Sequence, residues 1–352
     1  MFARALLLLL AAPLLCTSAA SAAELVLVET PFDARDSTVI VRDLSTGSER
    51  TAATLPHAPG FGAAGSLSPD GRWLAAAVLE GGNRLWRHAA VWAVDLDGSA
   101  KPKKLLAEAI HSAPIWLDAR TVVAVRSVGE HEPSPEEAKG GRLLDLDIEV
   151  VAVAVDAAPK VLLKDRCNAL DPFGVWATGE IALLRASSEG HSLLALGLDG
   201  RLRRLADLGP MTPAWPRLTP DRTAATFQQI AGFGSGRVTT SLVTSRGERR
   251  DLAKSSWLSP TPVPVAHGAV ASSTGQTIAL LSGETSRTLW TDAEAQRLVP
   301  RLASADGKWL VVERVAEGPA RPFVLEVATG KRTEAGGAPG RWRESMGLRR
   351  LP

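Results

Sequence analysis

The chain has 352 residues, 45% of them hydrophobic and 22% charged, with a net charge of +2. That composition belongs to a folded globular protein, and so even a charge balance excludes a strong field for nucleic acid or an anionic membrane surface. Arg341, Arg343, Arg349 and Arg350 come without aromatic stacking partners and read as a solvated edge.

Residues 1–22 read as a secretory signal peptide. Arg4 supplies the positive start, residues 5–15 form an apolar run broken only by Pro13, and Ala20-Ser21-Ala22 is a small-x-small cleavage site. The run is too short to span a bilayer, and no later stretch reaches about 18 apolar residues. The mature chain is expected to start at Ala23 and to be periplasmic or secreted, without a transmembrane segment and as a monomer. Cys16 offers a lipoprotein reading, but Leu15 stands where a small residue is needed, which favours simple export. Cleavage leaves Cys167 as the single thiol, a small buried hydrophobe with no disulfide partner.

From Ala23 onward, short apolar runs alternate with Gly, Pro, Asp and Ser turns. Strands are predicted over 25–29, 39–44, 73–79, 90–96, 121–126, 148–155, 181–185, 192–198, 224–228, 239–244, 277–282, 309–314 and 322–327. Strands at this density, with no helices between, indicate a sandwich, barrel or propeller. Repetition decides among these. Ser68-Pro69-Asp70-Gly71 before Trp73 returns as Thr219-Pro220-Asp221-Arg222 and as Ser304-Ala305-Asp306-Gly307 before Trp309. Weaker copies centre on Asp118, Gly179 and Gly275. Each copy leads into an apolar strand, a variable loop, a second strand ending in a turn such as Asp95-Leu96-Asp97-Gly98, and a polar closing strand. This spacing suits four-stranded propeller blades of roughly 40–50 residues. Residues 23–55 lack a first strand and residues 340–343 look like a first strand alone. Joining them yields a seventh blade and leaves no open edge, with six blades as the alternative. The expected architecture is therefore all-β, one propeller domain over 23–352.

Ser68-Pro69-Asp70-Gly71 with Asp95-Leu96-Asp97-Gly98 resembles the TolB-type repeat, the Ser-Pro-Asp-Gly relative of the WD repeat. The resemblance implies the fold and leaves function open, since such propellers occur in exported bacterial scaffolds or sensors and as the propeller half of prolyl-oligopeptidase-like enzymes. Asp70, Gly71, Asp97, Gly98, Asp221, Asp306 and Gly307 are expected to hold turns.

Several chemical motifs fail on context. Gly60-Phe61-Gly62-Ala63-Ala64-Gly65 matches a dinucleotide fingerprint but follows a proline-rich turn and precedes no helix. Gly232-Phe233-Gly234-Ser235-Gly236 is no nucleophile elbow, for the same lack of a helix. His57, His88, His111, His131, His191 and His267 show no metal spacing; several fall in loops and read as solvated residues, the alternative being a channel metal gathered from different blades. Asp145, Asp147 and Glu149 read as an exposed strand face. No cofactor and no metal is expected.

Loops on a rigid scaffold carry function more often than the scaffold does. The variable loops at 31–37, 81–88, 129–141, 187–191, 232–237 and 283–287 are expected to share one face, offering Asp33, Arg35, Arg84, Trp86, His88, His131, Glu132, Arg237 and Arg287 for binding. The inner strands over 63–67, 113–117, 173–176 and 213–218 read as mostly apolar. That favours a non-catalytic binding or scaffold protein of the envelope, whose partner is another envelope protein or a small ligand. The alternative is a channel-centred enzyme, a lyase or metal-assisted hydrolase, and a third option is an inert structural member of an assembly.

Overall fold

Antiparallel pairing organises the chain. The computed structural model describes residues 23–31, 33–80, 85–141, 143–230, 237–255, 262–266, 269–282, 285–317, 321–334 and 342–349. The predicted signal peptide, Arg84, His267, the run 232–236, Arg341 and Arg350 lie outside the described residues.

Five sheets have four strands each. One runs Trp342–Arg349, Glu24–Thr30, Asp36–Asp43, Glu49–Pro56, so that both ends of the chain meet in it. The others are meanders that begin at Ala169–Val175, Ala214–Leu218, Val263–Ala266 and Arg297–Ala303. The remaining sheet has eight strands. It contains the meander from Ala64–Leu67 to Lys103–Ala109 and the one from Ile115–Trp116 to Lys160–Cys167, linked by a single pair, Ala109 with Arg126. The arrangement is all-β and propeller-like. The insertion after Thr121–His131 holds the one helix among the described residues, Pro135–Lys139, capped by Ser134 and Glu137.

The strand compositions follow from layer position. Glu24–Thr30 is buried along its whole length, with Val26 and Val28 packing toward Leu74 and Val78 on one side. Leu25 and Leu27 pack toward Val311 and Val324 on the other. A strand sandwiched between two sheets must be apolar on both faces, hence runs such as Trp73–Leu79. Lys103–Ala109 closes its meander at the rim and is mostly exposed, hence its lysines.

The repeated turn is one hydrogen-bond network built three times. Ser68 Oγ donates to Asp70 Oδ1 at 2.5 Å and accepts from the Trp73 N–H at 2.9 Å, while the Arg72 N–H donates to Asp70 at 3.1 Å. Thr219, Asp221 and Ala224 repeat it, as do Ser304, Asp306 and Trp309. Gly71 and Gly307 sit at φ 68° and 70°, and Arg222 takes the same left-handed turn at 57°. At the second turn the holder is Asp95 rather than Asp97. Asp95 is fully buried and accepts from Ser99, Arg72 and the Asp97 N–H. Asp97 instead accepts from Arg349 at 2.5 Å, and Arg349 also holds Glu24 at 2.6 Å and the Gly71 carbonyl at 2.9 Å. That guanidinium, nearly inaccessible to solvent, clasps the last strand to the first and to the neighbouring meander.

One register differs from expectation. Thr274-Gly275 joins the second and third strands of its sheet, Ala269–Ser273 and Thr277–Ser282, not the first and second. The short strand Val263–Ala266 precedes them, which explains the short repeat interval there. The inversion carries Arg287 to the opposite face, where it donates to the Val327 and Ala328 carbonyls at 2.7 and 3.2 Å, beside the Ala328-Thr329-Gly330 turn.

Candidate active site

The first strands of the meanders surround a central cavity of about 780 Å³. Its wall includes Ser66, His111, Asp171, His191, Arg217 and Arg301. A second cavity of about 370 Å³ shares His111, Arg217 and Arg301 with it.

Each group has an identifiable local setting. Asp171 lies in Ala169–Val175, paired with Leu184, and its carboxyl has no partner among the described residues. Burial without a compensating cation pushes this carboxyl above the usual carboxylate range. Arg217 pairs with Thr226 in the adjacent strand, and its guanidinium donates to the Arg301 carbonyl oxygen. Enclosure, and then the positive charge of Arg301, bring Arg217 down to about 10, so it stays a cation at neutral pH. Arg301 pairs with the buried Glu313 at 2.6 Å, and Glu313 lines the second cavity with both arginines, whereas Arg217 itself forms no ion pair among the described residues. An arginine without an ion-pair partner in such a space has donors left to offer an anion.

The two histidines present defined tautomers. His111 Nε2 lies 3.0 Å from the Gly62 carbonyl and His191 Nδ1 3.3 Å from the Gly209 carbonyl. A carbonyl oxygen only accepts, so each of these nitrogens carries a proton. Burial lowers His111 below its usual value and keeps it neutral. The cavity thus combines the Arg217 cation, a carboxyl biased toward its acid form and the neutral imidazole of His111. Among the described residues no group of three or more His, Cys, Asp or Glu is arranged to hold a metal ion.

The predicted loop residues lie elsewhere. Asp33, Arg35, Glu132 and Arg237 are exposed, and none of the described members of the predicted binding set lines either cavity. Trp86 is 42% exposed with the Arg87 guanidinium over its ring. The His88 N–H donates to the Leu85 carbonyl at 2.9 Å. His131 Nε2 meets Asp147 Oδ2 at 2.6 Å, and Arg166 holds the other oxygen of Asp147 at 2.8 Å. The acidic strand is not an open face, since Glu149 is buried between Arg126 and Lys164.

The cavity groups escape a sequence reading for specific reasons. The inner strand of Asp171 starts before the predicted 173–176. Arg217 is one charge in an apolar-looking segment, and Arg297–Ala303 has no predicted strand. A usable signal exists: Arg217 and Arg301 each stand just upstream of a turn aspartate, Asp221 and Asp306, on the strand that faces the centre.

No family model and no curated protein matches the chain. Solved structures do. A prolyl endopeptidase matches with TM-score 0.59 and 13% identity, over 92% of this chain and 50% of that one. An oligogalacturonate lyase from Vibrio parahaemolyticus matches with TM-score 0.58 and 10% identity, over 86% and 91%. The acylaminoacyl peptidase of Pyrococcus horikoshii matches with TM-score 0.57 and 14% identity, over 89% and 50%. The chain spans about half the length of the two peptidases. These likenesses carry the fold. The expectation of a non-catalytic binding or scaffold protein is corrected: the neighbours are named for peptidase and lyase activities, and the inner strands bear charged groups where the sequence reads as apolar.

Proposed function

We propose that the protein is a channel-centred propeller enzyme, a lyase acting on a carboxylate-bearing saccharide. The observation that carries this reading is the partnerless Asp171 sharing one cavity with His111 and with Arg217, which forms no ion pair among the described residues. The lyase among the neighbours, matched over 91% of its own length, supports the reaction class. In this reading Arg217 binds the substrate carboxylate and acidifies the adjacent C–H. His111 takes that proton on its free ring nitrogen. The C–O bond one carbon further breaks as a C=C bond forms, and Asp171 gives its proton to the departing sugar oxygen. The sequence is redox-neutral, and a proton passed from His111 to Asp171 through water resets the site. The base works above the lowered value of His111 and the acid below the raised value of Asp171, so a bell-shaped pH profile is expected.

We also propose seven blades, reading the eight-stranded sheet as two blades joined by the single Ala109–Arg126 pair, and repeats of the TolB type. One propeller domain over 23–352 and export through residues 1–22 belong to the same proposal.

The test is incubation with trigalacturonate, following absorbance of the C=C bond conjugated to the product carboxylate, for wild type and Asp171→Asn. A loss of about 10²–10⁴-fold in the variant supports the reading. Equal rates, or no product from wild type, overturn it. A second reading, the propeller part of a hydrolase, is favoured by the two peptidases, each matched over about nine-tenths of this chain. Release from a peptide nitroanilide with no unsaturated sugar product supports that one instead.

A further inference from the structure

We propose that Trp215 is a specificity-determining residue, the platform on which the saccharide ring stacks beside Arg217. The proposal rests on the lyase reading above and adds a residue that the acid–base argument does not use. Trp215 lines the central cavity and is 45% exposed, an unusual state for so large an apolar side chain. Its backbone stands at φ 55°, one of three positive values outside glycine among the described residues. A bulky residue in that region is a genuine outlier, and the following Pro216 further restricts it toward extended conformations. The pairing with the next strand shifts between Ala214 and Arg217, so Trp215 sits in a bulge. Bulges near sites re-aim a side chain, and backbone strain of this kind persists where the surroundings hold it for a purpose.

The comparison within the chain sharpens the point. Trp116, in the matching inner strand of another meander, is 6% exposed and donates its indole N–H to the Ser66 carbonyl at 2.9 Å. Trp176 is fully buried against Ala182 and Phe227. Those indoles pack, whereas Trp215 has no polar partner among the described residues and turns toward open volume. An indole face offers an apolar surface that suits the C–H face of a sugar ring. Arg217, on the same strand, offers a cation. Together they select a ring that carries a carboxylate over a neutral sugar or an extended peptide.

The test is calorimetric titration of the full chain with trigalacturonate and with neutral maltotriose, for wild type, Trp215→Phe, Trp215→Ala and Trp215→Gly, with Tm measured alongside. Loss of this aromatic contact predicts roughly tenfold weaker trigalacturonate binding in the Ala and Gly variants, and near-wild-type binding in Trp215→Phe. The Gly variant relieves φ 55° and is expected to hold or raise Tm. Unchanged affinity in Trp215→Ala, or a lowered Tm in Trp215→Gly with affinity intact, assigns Trp215 to packing and overturns the proposal. Equal binding of maltotriose overturns the paired selection. Lost binding in Trp215→Ala, with turnover insensitive to Asp171→Asn, upholds the platform while overturning the lyase reading. The converse pattern does the reverse.

Discussion

Arg222 occupies the turn position that glycine fills at Gly71 and Gly307, and Arg222→Gly is expected to stabilise the protein. The left-handed conformation at φ 57° costs an ordinary residue about 1–2 kcal/mol. Glycine removes that cost and returns about 0.5–1 kcal/mol through its freer unfolded state. The backbone bonds of the turn survive, from the Arg222 N–H to the Thr219 carbonyl at 2.8 Å and from the Ala177 N–H to the Arg222 carbonyl at 2.9 Å. The side chain is exposed and forms no ion pair among the described residues, so little else is lost. The net gain is about 0.5–1 kcal/mol. With an unfolding entropy of about 2.1 cal/mol/K per residue, this raises Tm by only about 1 °C, so urea titration at constant m is the better assay. The opposite change is steep. A Cβ at Gly307 would collide with the Val265 carbonyl oxygen, a backbone atom that cannot swing aside. Gly307→Ala is therefore expected to cost at least about 3 kcal/mol. A lower urea midpoint for Arg222→Gly, or a harmless Gly307→Ala, would refute the equivalence of the turns.

Arg349→Met removes the buried cation that Glu24 and Asp97 share, leaving Glu24 the longer 3.9 Å contact with Arg50, and is expected to destabilise by about 3 kcal/mol, with hydrogen exchange rising first along Trp342–Arg349. Asp70→Ala removes two acceptor contacts from the repeated turn and should cost about 1–2 kcal/mol without changing turnover; lost turnover at normal stability would move Asp70 into the site. Asp171→Asn should raise Tm at neutral pH while abolishing activity. Because burial raises the folded-state value of this carboxyl, its contribution is complete below 3.8 and is lost as pH rises through the raised value, a loss that Asn avoids. His57 titrates with the opposite consequence. It is buried against Ser37, and burial lowers its folded-state value below 6.5, so stability falls as pH drops from 6.5 toward that lowered value. His57→Gln should flatten urea midpoints across that window.

The turns were legible because their chemistry is local. Ser68, Asp70 and Gly71 close a network within a few residues, and its copies at Thr219 and Ser304 announce themselves in one dimension. The buried strands were legible for a similar reason, since a strand covered on both faces must read as a continuous apolar run. The loop at Gly275 misled because Thr-Gly serves equally well between any two strands, and its parity depends on the short strand Val263–Ala266 before it.

The cavity belongs to the other category. His111, Asp171, Arg217 and Arg301 each stand alone in the chain, in four different meanders or their connections, and meet only where inner strands converge. Their properties are also collective: the raised carboxyl of Asp171 comes from burial with no cation beside it, and the lowered Arg217 from enclosure next to Arg301. Turn geometry, strand burial and repeat follow from near-neighbour chemistry that the sequence determines by itself. Which charges share an enclosed space, and which of them lacks a partner there, depends on through-space distance, and that was decided only by the tertiary structure.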